Sequence, residues 1–191
     1  MKTKKSTFLA LILLLPMAAN ADPISYIYSG FNASGSLGGV NFASEDFVIT
    51  ALADTDNIGP WAFATGQNTH TSATIEINGF SIATVLTASH SWYISGLLGL
   101  GQDLSINWMT FVDGALTDYD LSASIGPIFG TVSNVDQFNN VSTSAGILSF
   151  TDVSLQGSFQ AIAHSVPEPG TLALLGIGLF GMGLSRRRKK I

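Results

Sequence analysis

Between Asp22 and Ser165 the chain is patterned mostly in twos. Val153, Leu155, Gly157, Phe159 and Ala161 alternate with Ser154, Gln156, Ser158 and Gln160, the pattern of a strand with one buried and one solvated face. Ser72 to Val85 adds a hairpin with a definite register. Asn78-Gly79 is a favoured type I′ pair, and such a turn sets Ile77 opposite Phe80 and Ile75 opposite Ile82, all four on one face. Further strands are expected over Ile24–Ser29, Asp46–Ala53, Ser89–Ile94, Leu104–Phe111, Tyr119–Ala123, Ile128–Ser133 and Ile147–Thr151. About ten short strands with Gly, Asn, Asp and Ser turns predict an all-β domain, an antiparallel two-layer sandwich or jelly roll, with a barrel as the alternative.

The two ends break this pattern. Met1 to Thr7 carries three lysines, Phe8 to Met17 is almost wholly apolar, and Ala19-Asn20-Ala21 supplies a small-x-small site. That is the layout of a secretory signal peptide over residues 1–21, cut after Ala21. Thr171 to Ser185 is uncharged and rich in Leu and Gly; as a helix it covers about 22 Å, short of a hydrocarbon core of about 30 Å. It is expected to span as one C-terminal transmembrane helix because the basic residues behind it can snorkel and the bilayer can thin. The basic cluster Arg186, Arg187, Arg188, Lys189 and Lys190 stays cytoplasmic, which places residues 22–165 outside the membrane.

Charge sharpens the division. The eight Lys and Arg are Lys2, Lys4, Lys5 and Arg186 to Lys190, so residues 22–165 hold none. Of the 13 Asp and Glu, Glu168 alone lies beyond that span, which leaves 12 within it. A domain without cations is unsuited to nucleic acid, whose binding depends on Lys and Arg releasing counterions. Its carboxylates must find N–H groups, hydroxyls, amides, His or metal ions instead. No cysteine is present, so disulfides, thiolate metal sites and cysteine nucleophiles are excluded.

Val166-Pro167-Glu168-Pro169-Gly170, the Gly- and Leu-rich run and the Arg-rich tail together resemble the PEP-CTERM sorting domain of Gram-negative bacteria. The resemblance covers residues 166–191 and implies an exported protein held briefly in the inner membrane, recognised by the membrane enzyme exosortase at Pro167, Glu168 and Pro169, and passed to the cell surface or extracellular matrix. Thr171–Ser185 would be the temporary anchor and Arg186–Lys190 the stop-transfer cluster. The association of such proteins with exopolysaccharide and biofilm implies a structural or adhesive role. Independently, prolines on both sides of Glu168 keep that segment extended and open to an enzyme.

Candidate chemistry within residues 22–165 is sparse. Asp54, Asp56 and Asn57 form an oxygen-rich turn suited to calcium, although Ile58 stands where an EF-hand needs its third ligand; a turn capped by its own side chains is the competing reading. Asp118 and Asp120 are alternate residues of an expected strand. His70, His90 and His164 have no metal-ligand spacing. Trp61, after Gly59-Pro60 in an expected loop, is the aromatic best placed to stack on a sugar, the basis of an alternative lectin-like or calcium-dependent glycan-binding function. Gly176, Gly178 and Gly181 match G-x-G-x-x-G but follow no strand. With neither a G-x-S-x-G elbow nor an H-E-x-x-H zinc motif, the expectation is a non-enzymatic protein without a resident cofactor.

Charge segregation makes one direct prediction. Trypsin should cut the denatured chain nowhere between Lys5 and Arg186, which mass spectrometry of the digest would check; an internal tryptic peptide would refute it.

Overall fold

A computed structural model describes residues 22–61, 64–102, 106–133 and 138–165. The signal peptide read at 1–21 and the Pro-Glu-Pro signal, membrane helix and basic cluster read within 166–191 lie outside the described residues. Among the described residues no helix is long and apolar enough to cross a membrane.

The domain is all-β. Its strands are β1 (Pro23–Leu37), β2 (Val40–Asp54), β3 (Gly59–Trp61), β4 (Ala64–Ile77), β5 (Ala83–Thr84), β6 (His90–Ile94), β7 (Leu97–Gly101), β8 (Asn107–Val112), β9 (Ile125–Ser133), β10 (Val141–Thr143), β11 (Gly146–Asp152) and β12 (Gln156–Ala163). Antiparallel pairings run β1-β12-β9-β8-β7-β6-β4-β2, and β2 pairs again with β1, which closes an eight-stranded barrel. The sandwich or jelly-roll expectation is thereby corrected to a barrel. Period-two alternation reports which face of a strand is buried, and it is the same whether the buried face meets a second sheet or the inside of its own.

A second, smaller circuit shares three of these strands. β1 bends at bulges between Gly30 and Gly35, leaves β12, and pairs β11 from Ser34 to Leu37. β10 continues from β11, and Val85 just after β5 bridges Thr143 of β10, supported by bonds from Leu86 N to Ser142 O and Ser144 N to Thr84 O, both 2.8 Å. With β5 on β4, the ring β2-β4-β5-β10-β11-β1 is complete. Closure removes the open sheet edges that invite association with other chains.

One apolar core fills both rings. In the barrel Phe159 is ringed by Tyr26, Tyr28, Phe111 and Tyr119 at centroid distances of 5.1–6.4 Å. In the smaller ring Phe150 meets Phe42, Phe47 and Phe138 at 4.7–5.7 Å. Gly30, Gly157 and Gly130 stand directly opposite one another across β1, β12 and β9. A Cβ on Gly30 would enter the Phe47 ring, and one on Gly130 would press on the Phe111 ring. The glycine row makes room for rings donated by neighbouring strands.

Local departures have local causes. Gly79 has φ +81° while Asn78 keeps a negative φ, so the turn is not type I′; Phe80 N bonds Ile77 O, and Ile75 pairs Ala83 rather than Ile82. The slip of one residue turns Ile82 outward, 63 % exposed. Tyr119–Ala123 is not a strand: the segment after β8 makes a 3-10 turn at Gly114–Leu116 and folds over the barrel interior, where Tyr119 and Leu121 are buried. β12 begins at Gln156, which leaves Leu155 exposed.

Phe159→Ala should lower unfolding free energy by about 3–5 kcal/mol, the range for an aromatic removed from a packed core. Phe129→Ala, on the outer face of β9 and 69 % exposed, should stay within about 0.5 kcal/mol of the parent. Urea unfolding of both variants would test this, and equal losses would contradict the inward and outward assignment of β9 and β12.

Candidate functional site

Among the described carboxylates, Asp54, Asp113 and Asp120 cap local turns and Asp46 bonds across a bulge. Asp54 Oδ1 accepts from Asp56 N at 2.9 Å and caps a 3-10 turn over Thr55–Asn57. Asp113 caps the turn at Gly114 in the same way, and Asp46 accepts from Asn32 N at 3.0 Å. Asp120 accepts from both Ser122 N and Ser122 Oγ, at 3.0 and 2.6 Å; these bonds, the hydroxyl first, hold its carboxyl below the usual range. It sits in a turn, not beside Asp118 on a strand face. For the sequence-predicted set Asp54, Asp56 and Asn57, the structure brings in no other carboxylate or His: among the described residues no three His, Asp or Glu are grouped as for a metal ion.

Trp61 is half-buried at the end of β3, its ring 5.2 Å from His90 and 5.8 Å from Trp92. It belongs to a cluster on the wall formed by β3, β4 and β6. His164 follows β12, where its backbone N bonds Pro23 O at 2.8 Å and its Nε2 lies 2.8 Å from Ser25 Oγ. The first and last strands of the domain are therefore latched together at one end.

The densest polar cluster was not legible as a site. His70 of β4 contacts Ser89 Oγ through Nδ1 and Ser91 Oγ through Nε2, both at 2.8 Å, and Ser91 Oγ lies 2.7 Å from the Tyr28 hydroxyl. Beside this chain, the Tyr26 hydroxyl donates to Leu121 O at 2.7 Å and accepts from Asn68 Nδ2 at 2.9 Å. Twenty residues separate His70 from His90, but β4 pairs β6 with Thr69 opposite His90, which brings the two histidines to adjacent strands. Only the topology creates that meeting.

This cluster favours a neutral imidazole. Each serine hydroxyl can donate or accept, so a neutral ring can donate to one serine and accept from the other. Burial, followed by the nearby His90, pushes the His70 pKa down to about 3. Burial likewise raises the phenols of Tyr26, Tyr28 and Tyr119. A Ser–His contact suggests a nucleophile and base, but Ser91 is fully buried and the group behind His70 is Ser89 rather than a carboxylate. The arrangement ties β1, β4 and β6 together.

A depressed His pKa fixes the sign of a pH effect. The unfolded chain binds a proton at His70 near pH 6.5 while the folded chain does so only near pH 3, so this stabilising contribution is complete above pH 6.5 and is lost as pH falls through that window. Its limiting slope is about 1.4 kcal/mol per pH unit. Urea midpoints of the parent should therefore fall from pH 7 to pH 5 more than those of His70→Gln; matching slopes would mean that His70 is protonated in the folded state.

The model of one protein family, the PEP-CTERM protein-sorting motif, matches residues 165–189. Comparison with curated proteins and with solved structures finds no match. The match begins at Ser165, directly after the His164 latch, and takes in Pro167, Glu168 and Pro169 as well as Arg186, Arg187, Arg188 and Lys189. The chain thus carries a PEP-CTERM protein-sorting motif, which marks it as an exported extracellular protein sorted by exosortase.

Proposed function

We propose that the barrel is a non-enzymatic surface or matrix module with a structural or adhesive role in exopolysaccharide. After export it is held at the inner membrane by residues 171–185, cut near Pro167-Glu168-Pro169, and released to the surface or matrix. The observation that carries this reading is the junction itself: the matched motif starts one residue beyond the latch that joins β12 to β1. What is sorted is therefore the closed barrel as a unit. Its interior is filled by side chains rather than kept open for a substrate, which supports a role played by its outer surface.

The alternative, a glycan-binding module, gains support from the same outer surface. Calcium dependence of such binding would rest on Asp54, Asp56 and Asn57, whose turn already spends one carboxylate oxygen on its own cap.

Intact mass of the protein recovered from host surface and medium should run from Asp22 to a residue between Val166 and Gly170. Deleting the host exosortase should leave the chain in the membrane fraction with Arg186–Ile191 attached. Retention of that tail in the parent strain would turn the reading into a permanently anchored module, and turnover of a glycan or peptide by the purified protein would defeat the non-enzymatic reading.

A further inference from the structure

The outer face of β1, β12 and β9 carries an uncharged groove of about 240 Å³ lined by Phe31, Phe129, Gly130, Thr131, Gln156 and Gly157. Register explains its shape. Ser158 stands opposite both Ser29 and Phe129, and Gln156 stands opposite Thr131, all pointing out of the barrel. Phe129 on β9 and Phe31 on β1 thus flank β12 from opposite sides, on rows two residues apart. The β12 backbone at Gly157 forms the floor between Gln156 and Ser158. Phe129 stands 69 % exposed on the outer wall of the barrel, opposite Ser158 and in one groove with Thr131, Gln156 and a second phenyl ring, Phe31.

We infer that this groove is a carbohydrate-stacking site, with Phe129 as platform and Gln156 and Thr131 as hydrogen-bonding partners of the sugar hydroxyls. This deepens, and rests on, the matrix reading above. The lining decides the class of occupant. A pyranose ring offers an apolar C–H face to an aromatic ring and hydroxyls around its rim, which an amide and a threonine can bond in the same plane. No lining residue is charged, and the domain holds 12 carboxylates with no Lys or Arg, so polyuronates are repelled and nothing in the groove selects a cationic sugar. The occupant is a neutral hexose unit of a polysaccharide, and the volume suits one ring rather than several. Trp61, whose ring meets His90 and Trp92, lies on the wall of β3, β4 and β6, apart from this groove, in which Phe129 is the stacking residue.

Affinity electrophoresis of the protein secreted by its host, in gels containing a neutral β-glucan, a polyuronate or a glucosamine polymer, tests the inference. The parent should be retarded by the neutral glucan and not by the polyuronate, and any retardation by the cationic polymer, which the 12 carboxylates attract, should be the same in Phe129→Ala. Phe129→Ala should lose at least tenfold in apparent affinity, Gln156→Ala a smaller factor, and Phe129→Trp should retain or improve retardation. Ile82→Ala, equally exposed on the smaller ring, should behave as the parent, and unchanged melting of the Phe129 variants would exclude unfolding. Absence of retardation by neutral glucan, equal retardation of Phe129→Ala in that gel, or retardation by the polyuronate would overturn the site. So would a Phe129→Ala shift in sedimentation coefficient, which would make this face a contact between copies of the chain. Each failure leaves the cut-site mass and the exosortase dependence untouched, so the groove and the matrix reading fail separately.

Discussion

Both rings depend on the pairing of β1 with β2. These two strands of 15 residues share a ladder from Pro23↔Asp54 to Leu37↔Val40, and each ring is closed by a different part of it. Below the bulges β1 carries β12 and so completes the barrel; above them it carries β11 and completes the smaller circuit. The bulges are what allow one strand to serve two curvatures, since an extra residue on one side bends the strand and raises its twist. Losing this ladder would expose one backbone edge of each strand and open both rings at once. The ladder is also nearly local in sequence, joined by a short turn at Gly38-Gly39, so it can form without a large loop-closure cost and template the later, distant pairings with β12 and β11.

The second constraint is chemical. A domain with no Lys or Arg has no ion pairs to spend, and its structure shows the substitute. Asp46, Asp54, Asp113 and Asp120 each accept from a backbone N–H within a turn or across a bulge. Such charge-assisted bonds are short-range and little affected by the overall charge, so they fix loops without needing a partner elsewhere. The Asn68 amide bonds the buried Tyr26 hydroxyl, which bonds a backbone carbonyl, and the buried Tyr28 hydroxyl bonds Ser91 and through it a neutral histidine, with no charged partner among them. The remaining interior is aromatic, and the glycine row supplies the space that rings require.

Much of this was written locally and could be read. Strand existence followed from alternation in Ile24–Ser29, Asp46–Ala53, Ile147–Thr151 and Gly157–Ala161, and the polar-turn reading of Asp54 agrees with its cap. What could not be read was anything decided at a distance. Alternation in β4 is blurred by Asn68 and His70 because the barrel interior there is polar, so half of that strand was not foreseen. The Asn78-Gly79 turn took another form because pairing resumed at Ala83, where β5 must also reach β10. The His70 cluster needed β4 beside β6, and the Phe31–Phe129 groove needed β1, β12 and β9 side by side. The sorting motif was legible for the opposite reason. It acts as a linear segment, so its chemistry is complete in the order of its residues.

The position of that segment gives the architecture its logic. Ile24 pairs Ala163, and His164 bonds Pro23, so the domain begins and ends at one point on its surface. Because the first and last strands pair antiparallel, Asp22 and the start of the sorting motif at Ser165 lie at the same end of the barrel. Between His164 and Pro167 there are two residues, an extended reach of about 10 Å. In sequence, therefore, the sorting motif follows the latch directly, with no linker between the last strand and Pro167-Glu168-Pro169. The groove on β1, β12 and β9 lies at the Gly30–Gly157 end of this pairing, away from the Ile24–Ala163 end at which the sorting motif begins, so the surface best shaped to hold a ligand and the segment that is sorted occupy separate places on the chain.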